Sequence, residues 1–273
     1  MFFLRRSVDF SEYWQKLTNI NLGYFALAVV AFNLSKIIAA FRLNYYYKMA
    51  DVVVSAKFNV KLYYVGMFFN TFMPGSIGGD AYKVFFLKQH YDTKTKYLVS
   101  ASLLDRLSGL CLLVVLGLGF LLFSSIQNPF EGFKPLVIAA MILALPVFYL
   151  FKKLLFKRFT GNFLKTSWLS FWVQVGQAVS AFFLLKGFGV SESHWDYLAV
   201  FMASSAASAL PAPPGGIGLR EWVMSDGVQL MNSGLDANLA AAFATSFFLV
   251  IAVTALIGVY FFFSIRKPKK ANK

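Results

Sequence analysis

The sequence contains little of what metal sites, disulfide scaffolds and charged soluble surfaces require. Among its 273 residues are one cysteine and two histidines, and only 14% of the residues are charged, against about 25% in an ordinary soluble domain. Cys111 alone cannot form an internal disulfide, and His90 and His194 lie too far apart in sequence for the clustered spacing of a zinc site. We therefore expect no disulfide framework, no metal ion and no cofactor.

Apolar residues dominate the chain. They make up 58% of it, with phenylalanine at 32 positions, and the mean hydropathy is +0.62. So apolar a sequence could not cover a soluble surface with polar groups, which excludes a disordered chain and argues against a soluble enzyme. The composition predicts an all-α, polytopic helical membrane protein in which residues 1–273 form a single integral membrane domain.

Positive charge exceeds negative charge, with 26 lysines and arginines against 12 acidic residues and a formal net charge of +14. In a soluble domain this excess would indicate nucleic acid. In a membrane protein it is typical of cytoplasmic loops, where lysine and arginine accumulate. We adopt the second interpretation and expect no nucleic-acid partner. Segments 152–165 and 264–273 each hold five cations and no acidic residue, which predicts that both, including the C-terminal tail, are cytoplasmic.

Five segments are long and apolar enough to be membrane-spanning helices, which need about 20 mostly apolar residues. They are 22–41, 97–123, 135–151, 167–185 and 237–263.

Two further segments, 62–90 and 195–232, each contain an apolar arm, a break rich in proline and glycine, and a more polar arm. Proline and glycine end helices, and non-helical backbone at membrane depth persists only inside protein or beside a water-filled cavity. We therefore predict two re-entrant hairpins, each made of two half-helices that meet at a broken tip.

The loops set the expected orientation of these hairpins. Loops 124–134 and 186–196 carry few cations and are predicted outside. The hairpin 195–232 then begins and ends outside, whereas 62–90 begins and ends inside.

A helix, a hairpin and a second helix thus recur along the chain. The first set covers 22–123 and the second 167–263, and the connecting helix 135–151 reverses the orientation of the second set. This order predicts an inverted repeat, an architecture of transporters whose substrate site lies where the broken elements meet. The alternative is a simple bundle with two unrelated loops. The repeat places the N-terminus outside, although Arg5 and Arg6 favour the opposite side.

The two breaks share a pattern that favours an anion. The first reads PGSIGGDAYK over 74–83 and the second PAPPGGIGLRE over 211–221, so each has glycines and then a cation, Lys83 or Arg220, at the start of a half-helix. Glycine permits close backbone approach and positive φ, and a helix N-terminus offers free N–H groups. Neither break has the sequence of a nucleotide P-loop. The alternative role for the glycines is close helix packing. The candidate binding glycines are Gly78, Gly79, Gly215, Gly216 and Gly218.

Asp105 and Arg106 lie inside a predicted spanning helix, where ionisable groups are costly and usually face the bundle interior. Arg106 is expected to bind a phosphate or to pair with Asp80 or Glu221, and Asp105 to pair with Lys83 or Arg220. A purely structural ion pair is the alternative. We interpret Arg42 as a topology anchor at the end of the first helix, and Lys36 as a residue that snorkels to the interface.

Three motifs in order, PGSIGGDAYK, SLLDRLSG and PPGGIGLRE, resemble those of the lysylphosphatidylglycerol synthase transmembrane-region family, also called flippase-like domain proteins. The resemblance covers about residues 20–265. Lys83 stands where arginine is common in the family, which keeps the charge but loses bidentate phosphate recognition. The matching positions are Pro74, Gly78, Gly79, Asp80, Lys83, Asp105, Arg106, Pro213, Gly215, Gly216, Gly218, Arg220 and Glu221.

In multidomain relatives this region is joined to a cytoplasmic aminoacyl-lipid synthase and moves the modified lipid between leaflets. The resemblance therefore implies a translocase of an anionic or phosphate-bearing lipid, a phospholipid or a polyprenyl-phosphate-linked one, in the inner or plasma membrane. Its expected partners are membrane lipids and a separate lipid-modifying enzyme. Only a short basic segment follows residue 265, so we expect no lysyl transfer from this chain.

No catalytic constellation is evident in the sequence, so we expect a transporter rather than an enzyme. The alternatives left open are a component of an intramembrane lipid-modifying enzyme, for glycosyl or aminoacyl transfer, and a small-anion transporter. In the translocase interpretation, Lys83, Arg106 and Arg220 hold the phosphate and Asp80, Asp105 and Glu221 balance the cations.

Overall fold

The computed structural model describes residues 9–73, 77–124, 131–209, 218–230 and 234–265. Within these ranges the chain forms ten α-helices, two single turns of 3₁₀ helix and no β-strand, which confirms the all-α fold. The helices are α1 (Phe10–Thr18), α2 (Leu22–Met49), α3 (Ala56–Phe72), α4 (Gly78–His90), α5 (Thr95–Phe123), α6 (Lys134–Leu155), α7 (Phe163–Gly187), α8 (His194–Ser208), α9 (Leu219–Leu230) and α10 (Ala237–Ser264).

Short polar side chains set where four of these helices begin. A side-chain oxygen of Asp9, Asn21, Ser55 or Asp236 accepts a hydrogen bond from an N–H group in the first turn of α1, α2, α3 or α10. Such caps satisfy backbone donors that have no partner within the helix.

Five helices, α2, α5, α6, α7 and α10, have the length and the hydropathy to cross a membrane. This confirms the five predicted spans, with wider bounds. The largest difference is in α2, which continues eight residues past the predicted end at Phe41, to Met49. At 1.5 Å per residue its 28 residues extend about 42 Å. Lys36 and Arg42 therefore lie in the interior of this helix rather than at its end.

Each of the two segments predicted to form a hairpin contains two shorter helices. Helices α3 and α4 flank the first break, and α8 and α9 flank the second. The breaks themselves, 74–76 and 210–217, lie outside the described residues. That each pair enters and leaves the membrane on one side remains a prediction, as does the cytoplasmic position of the tail, most of which is also outside the described ranges.

The principal helix contacts are related by an exchange of the two halves of the chain. If α2, α3, α4 and α5 are exchanged with α7, α8, α9 and α10, the contact of α3 with α10 becomes that of α8 with α5, and the contact of α2 with α7 is unchanged. The same exchange also relates the helix contacts within one half to those within the other. It relates the contact of α1 with α10 to that of α6 with α5. This is the pattern that a two-fold repeat would produce.

Small residues bring α2 and α7 together where the two halves meet. A β-carbon added at Gly176 would lie 2.8 Å from Cβ of Ser35, and the hydroxyl of Ser180 donates to the carbonyl of Ala28 at 2.8 Å. Close approach through small side chains, with hydrogen bonds between helices, is a typical mode of association in membranes.

Helix α1 packs against the start of α10 through polar contacts. Lys16 forms an ion pair with Asp236 at 2.6 Å, and the hydroxyl of Tyr13 donates to Thr245 at 3.0 Å. Burial opposes ionisation of Asp236, but the hydrogen bond from Lys16 and those from two backbone N–H groups outweigh it, so the pKa of Asp236 lies below its usual 3.8. These contacts attach the N-terminal helix to the last spanning helix.

Candidate functional site

A cavity of about 300 Å³ lies among the helices of both halves, and its lining carries an excess of positive charge. Five cationic side chains line it against two carboxylates in the described part of the chain. The cations are Lys36, Arg42, Lys83, Arg106 and Arg220, and the carboxylates are Asp80 and Asp105.

Asp80, in the first turn of α4, is shared by two of these cations. Its Oδ1 is 2.7 Å from Nζ of Lys83, and its Oδ2 accepts a hydrogen bond from Nε of Arg106 on α5. The pairing of Arg106 with Asp80 was one of the two expected from the sequence. One carboxylate thus orients two cations, and the group of three retains a net positive charge.

Asp105 does not pair with Lys83 or Arg220, as the sequence led us to expect. Its Oδ1 accepts from Nε of Arg42 at 2.8 Å, and Nη1 of Arg42 donates to the hydroxyl of Ser170 on α7 at 3.0 Å. The continuation of α2 past Phe41 places Arg42 opposite Asp105. Arg42 is therefore a buried structural partner rather than a topology anchor.

Arg220, near the start of α9, is a buried cation. Only 8% of the residue is exposed, and its Nε and Nη1 atoms have no hydrogen-bond partner. Cζ lies 5.1 Å from the centroid of the Phe247 ring, so an aromatic face supports the guanidinium on one side. Among the described residues, no carboxylate forms an ion pair with it. The guanidinium thus has unused donors at the cavity wall.

Lys36 is the second cation of the cavity wall for which no ion pair is found in the described ranges. Its Nζ lies 4.3 Å from the centroid of the Phe32 ring. The residue is half-buried and lines the cavity, so the expectation that it snorkels to the interface is wrong.

Glu221 stabilises the start of α9. Its Oε2 accepts from the N–H of Gly218 at 2.7 Å, and its Oε1 accepts from the hydroxyl of Thr245 at 3.4 Å. Gly218 has a φ of +87°, a left-handed conformation that glycine adopts without penalty. The unusual backbone angle expected in this motif is therefore present at Gly218, whereas Gly215 and Gly216 lie outside the described residues.

Gly78 and Gly79, at the start of α4, lie close to other parts of the chain. A β-carbon on Gly79 would lie 1.7 Å from the carbonyl oxygen of Gly66, so the backbones of α3 and α4 are in direct contact. The N–H of Gly79 donates to Oδ1 of Asn70 at 2.8 Å, and a β-carbon on Gly78 would contact Sδ of Met73 at 2.8 Å. This geometry matches the packing alternative, and a contact of Gly78 or Gly79 with a ligand remains a prediction.

Polar residues of α7 and α8 complete the wall. The amide of Gln174 donates to the carbonyl of Gly109 on α5 at 2.9 Å, and Gln177 donates to Gln174 at 3.2 Å. Among the small residues at 203–209, Ser204 is fully buried. Ser205 and Ser208, however, line the cavity.

The comparisons with known proteins identify one family. The family model described as the lysylphosphatidylglycerol synthase TM region matches residues 1–258. No curated protein and no solved structure matches the chain. The match includes the described cavity residues and covers all but the last 15 positions. With its five spanning helices, the chain is a multi-pass membrane protein and belongs to the lysylphosphatidylglycerol synthase transmembrane-region family.

Proposed function

We propose that this protein moves a phosphate-bearing lipid between the leaflets of its membrane, and that Arg220 binds the phosphate. The observation that carries the proposal is the guanidinium of Arg220, which is buried at the cavity wall with two nitrogen atoms unsatisfied. A buried charge without a partner is strongly unfavourable. A bound anion supplies the missing partner.

The chemistry of the lining suits a phosphate. A guanidinium donates two parallel hydrogen bonds to phosphate or carboxylate oxygens, and lysine binds phosphate as a point charge. Lys36 has no ion-pair partner among the described residues, and Lys83 and Arg106 share one carboxylate. We assign these three cations to the same headgroup, and Asp80 to the balance of charge. Arg42 is already neutralised by Asp105 and holds the helices together.

The membrane setting and the family favour a lipid over a soluble anion. The family has a membrane-lipid function, and the cavity lies among spanning helices. The inverted repeat, which the exchange of helix contacts supports, belongs to this proposal, because such repeats place a substrate site near the bilayer midplane. Gly215 and Gly216 are proposed to permit close backbone approach there.

The test is reconstitution of the purified protein into liposomes that contain phosphatidylglycerol with a fluorescent headgroup label. A membrane-impermeant reductant quenches the outer leaflet, so protein-dependent movement adds a second phase of quenching. We expect Arg220→Ala to remove most of that phase and Arg220→Lys to retain part of it. Arg158, which pairs with Asp51 on the surface, is the matched control, and Arg158→Ala should transport normally. Unchanged movement by Arg220→Ala would refute the role of Arg220.

The same liposomes separate the two alternatives. Protein-dependent release of trapped radiolabelled phosphate, without lipid movement, would indicate a small-anion transporter. A covalently changed lipid in the extracted fraction, detected by mass spectrometry, would indicate a lipid-modifying enzyme. Either result without translocation would overturn the proposal.

A further inference from the structure

An apolar groove of about 270 Å³ lies between α5 and α8. One wall is the face of α5 from Leu113 to Leu121, and the other is formed largely by Ala199, Ala203 and Ala206 of α8. Ala203 and Val114 are exposed on the surface of the described chain. In a membrane-spanning region such a surface faces hydrocarbon, so the groove opens laterally toward the lipid.

The groove borders the charged cavity. Leu113 lines both spaces, and on α8 the cavity residue Ser205 is adjacent to the groove residue Ala206. Along this pair of helices, the wall changes from charged to entirely apolar. A membrane lipid has the same arrangement, with a phosphate in its headgroup and hydrocarbon in its chains.

The equivalent seam in the other half of the exchange is tightly packed at one glycine. There a β-carbon on Gly258 of α10 would lie 2.2 Å from the carbonyl oxygen of Tyr64 on α3. In the seam with the groove, the corresponding neighbours are Gly117 and the side chain of Met202, with 2.8 Å between an added β-carbon and Cβ of Met202. Tyr64 and Met202 are each the ninth residue of their helix. The approach at Gly258, to a backbone atom, is thus closer than the corresponding approach at Gly117, to a side chain.

We propose that this groove binds one hydrocarbon chain of the lipid whose phosphate binds at Arg220, and that the lipid enters the protein between α5 and α8. The inference rests on the proposed function and adds the route and the tail site. From Leu113 to Leu121 the groove extends about 12 Å along the helix, somewhat under half of a hydrocarbon core about 30 Å thick. That length suits the part of a chain that one leaflet contains.

The first experiment locates the chain. The wild-type protein is reconstituted in phosphatidylcholine liposomes with phosphatidylglycerol that carries a photoactivatable diazirine midway along one acyl chain. After irradiation, mass spectrometry should find labels on 113–121 and 199–206. Because the headgroup anchors the chain, Arg220→Ala should reduce these labels at least about fivefold, while labelling at the exposed Leu143 of α6 stays constant. Equal labelling of groove and α6, insensitive to Arg220→Ala, would overturn the proposal.

The second experiment fills the groove. Ala203→Phe and Ala206→Phe place a ring in the space for the chain, and Leu143→Phe on the exposed face of α6 is the matched control. We expect both groove variants to lose groove labelling and to slow lipid movement at least about tenfold, with thermal stability close to that of the wild type. If lipid moves normally in both filled variants, the tail site is wrong although the translocase proposal stands. If the wild-type protein moves no lipid, the translocase proposal fails. Labelling of 113–121 and 199–206 that depends on Arg220 would still show whether a lipid chain binds in the groove.

Discussion

Neutralisation of Asp105 is expected to destabilise the protein far more than neutralisation of any surface acid. Asp105 and Arg42 are both buried, with 8% and 4% of their side chains exposed, and their ion pair is 2.8 Å long. The change Asp105→Asn keeps the shape of the side chain but leaves the guanidinium of Arg42 without a negative partner. The bond from Arg42 to Ser170 remains and does not neutralise the charge.

The size of the effect follows from the cost of an uncompensated buried charge, which is about 3–5 kcal/mol. We use the lower end, about 3 kcal/mol, because the pair borders a polar cavity. At roughly 2–4 °C per kcal/mol for a chain of this size, Tm should fall by about 6–12 °C. Replacement of both partners by apolar residues, as in Arg42→Met with Asp105→Leu, should recover most of the loss, because no unpaired charge remains.

The measurement is thermal unfolding of the detergent-solubilised protein, followed by fluorescence or by loss of the monodisperse peak. Asp51→Asn is the matched control, since it removes the partner of Arg158 at the surface, where ion pairs contribute little. A Tm for Asp105→Asn equal to that of Asp51→Asn would refute the assignment of Arg42 and Asp105 as a buried pair.

Two other features give direct predictions. Gly79→Ala should abolish the folded, monodisperse protein in expression trials, because the added carbon would collide with the backbone of Gly66, whereas Gly132→Ala, with nothing within 4 Å, should express normally. The lowered pKa of Asp236 means that its ion pair with Lys16 contributes stability above pH 3.8, which is lost as the pH falls through the folded-state pKa. Asp236→Asn should therefore reduce the fall of Tm between pH 6 and pH 3, and an unchanged pH profile would contradict this role.

The fold was largely predictable because its main signal is local. Long apolar runs specify spanning helices without reference to their neighbours, and proline with glycine marks the breaks. The end of α2 was not predictable in this way. Tyr45, Tyr46 and Tyr47 continue the helix because aromatic side chains pack there, with Tyr46 and Tyr47 fully buried, and the hydropathy pattern does not register this.

The site was predictable as a set of residues but not as a set of pairs. Motif spacing identified Asp80, Lys83, Arg106 and Arg220, which do line one cavity. The partner of Asp105 depends on which face of α2 packs against α5. The sequence alone does not specify how α2 is rotated about its axis relative to α5. Lys36 was missed for the same reason. A signal was present, since a lysine and an arginine within one 28-residue helix are costly unless they face a protein interior.

The contact between Gly66 and Gly79 also determines how the cavity wall moves. The two backbones touch at Gly66 and Gly79, and Asn70 is bonded to the N–H of Gly79. At this point no side chain lies between α3 and α4 that could change rotamer and let them slide. The two helices are therefore expected to behave as one rigid unit. We expect any rearrangement of the cavity wall to move α3 and α4, with Asp80 and Lys83, together.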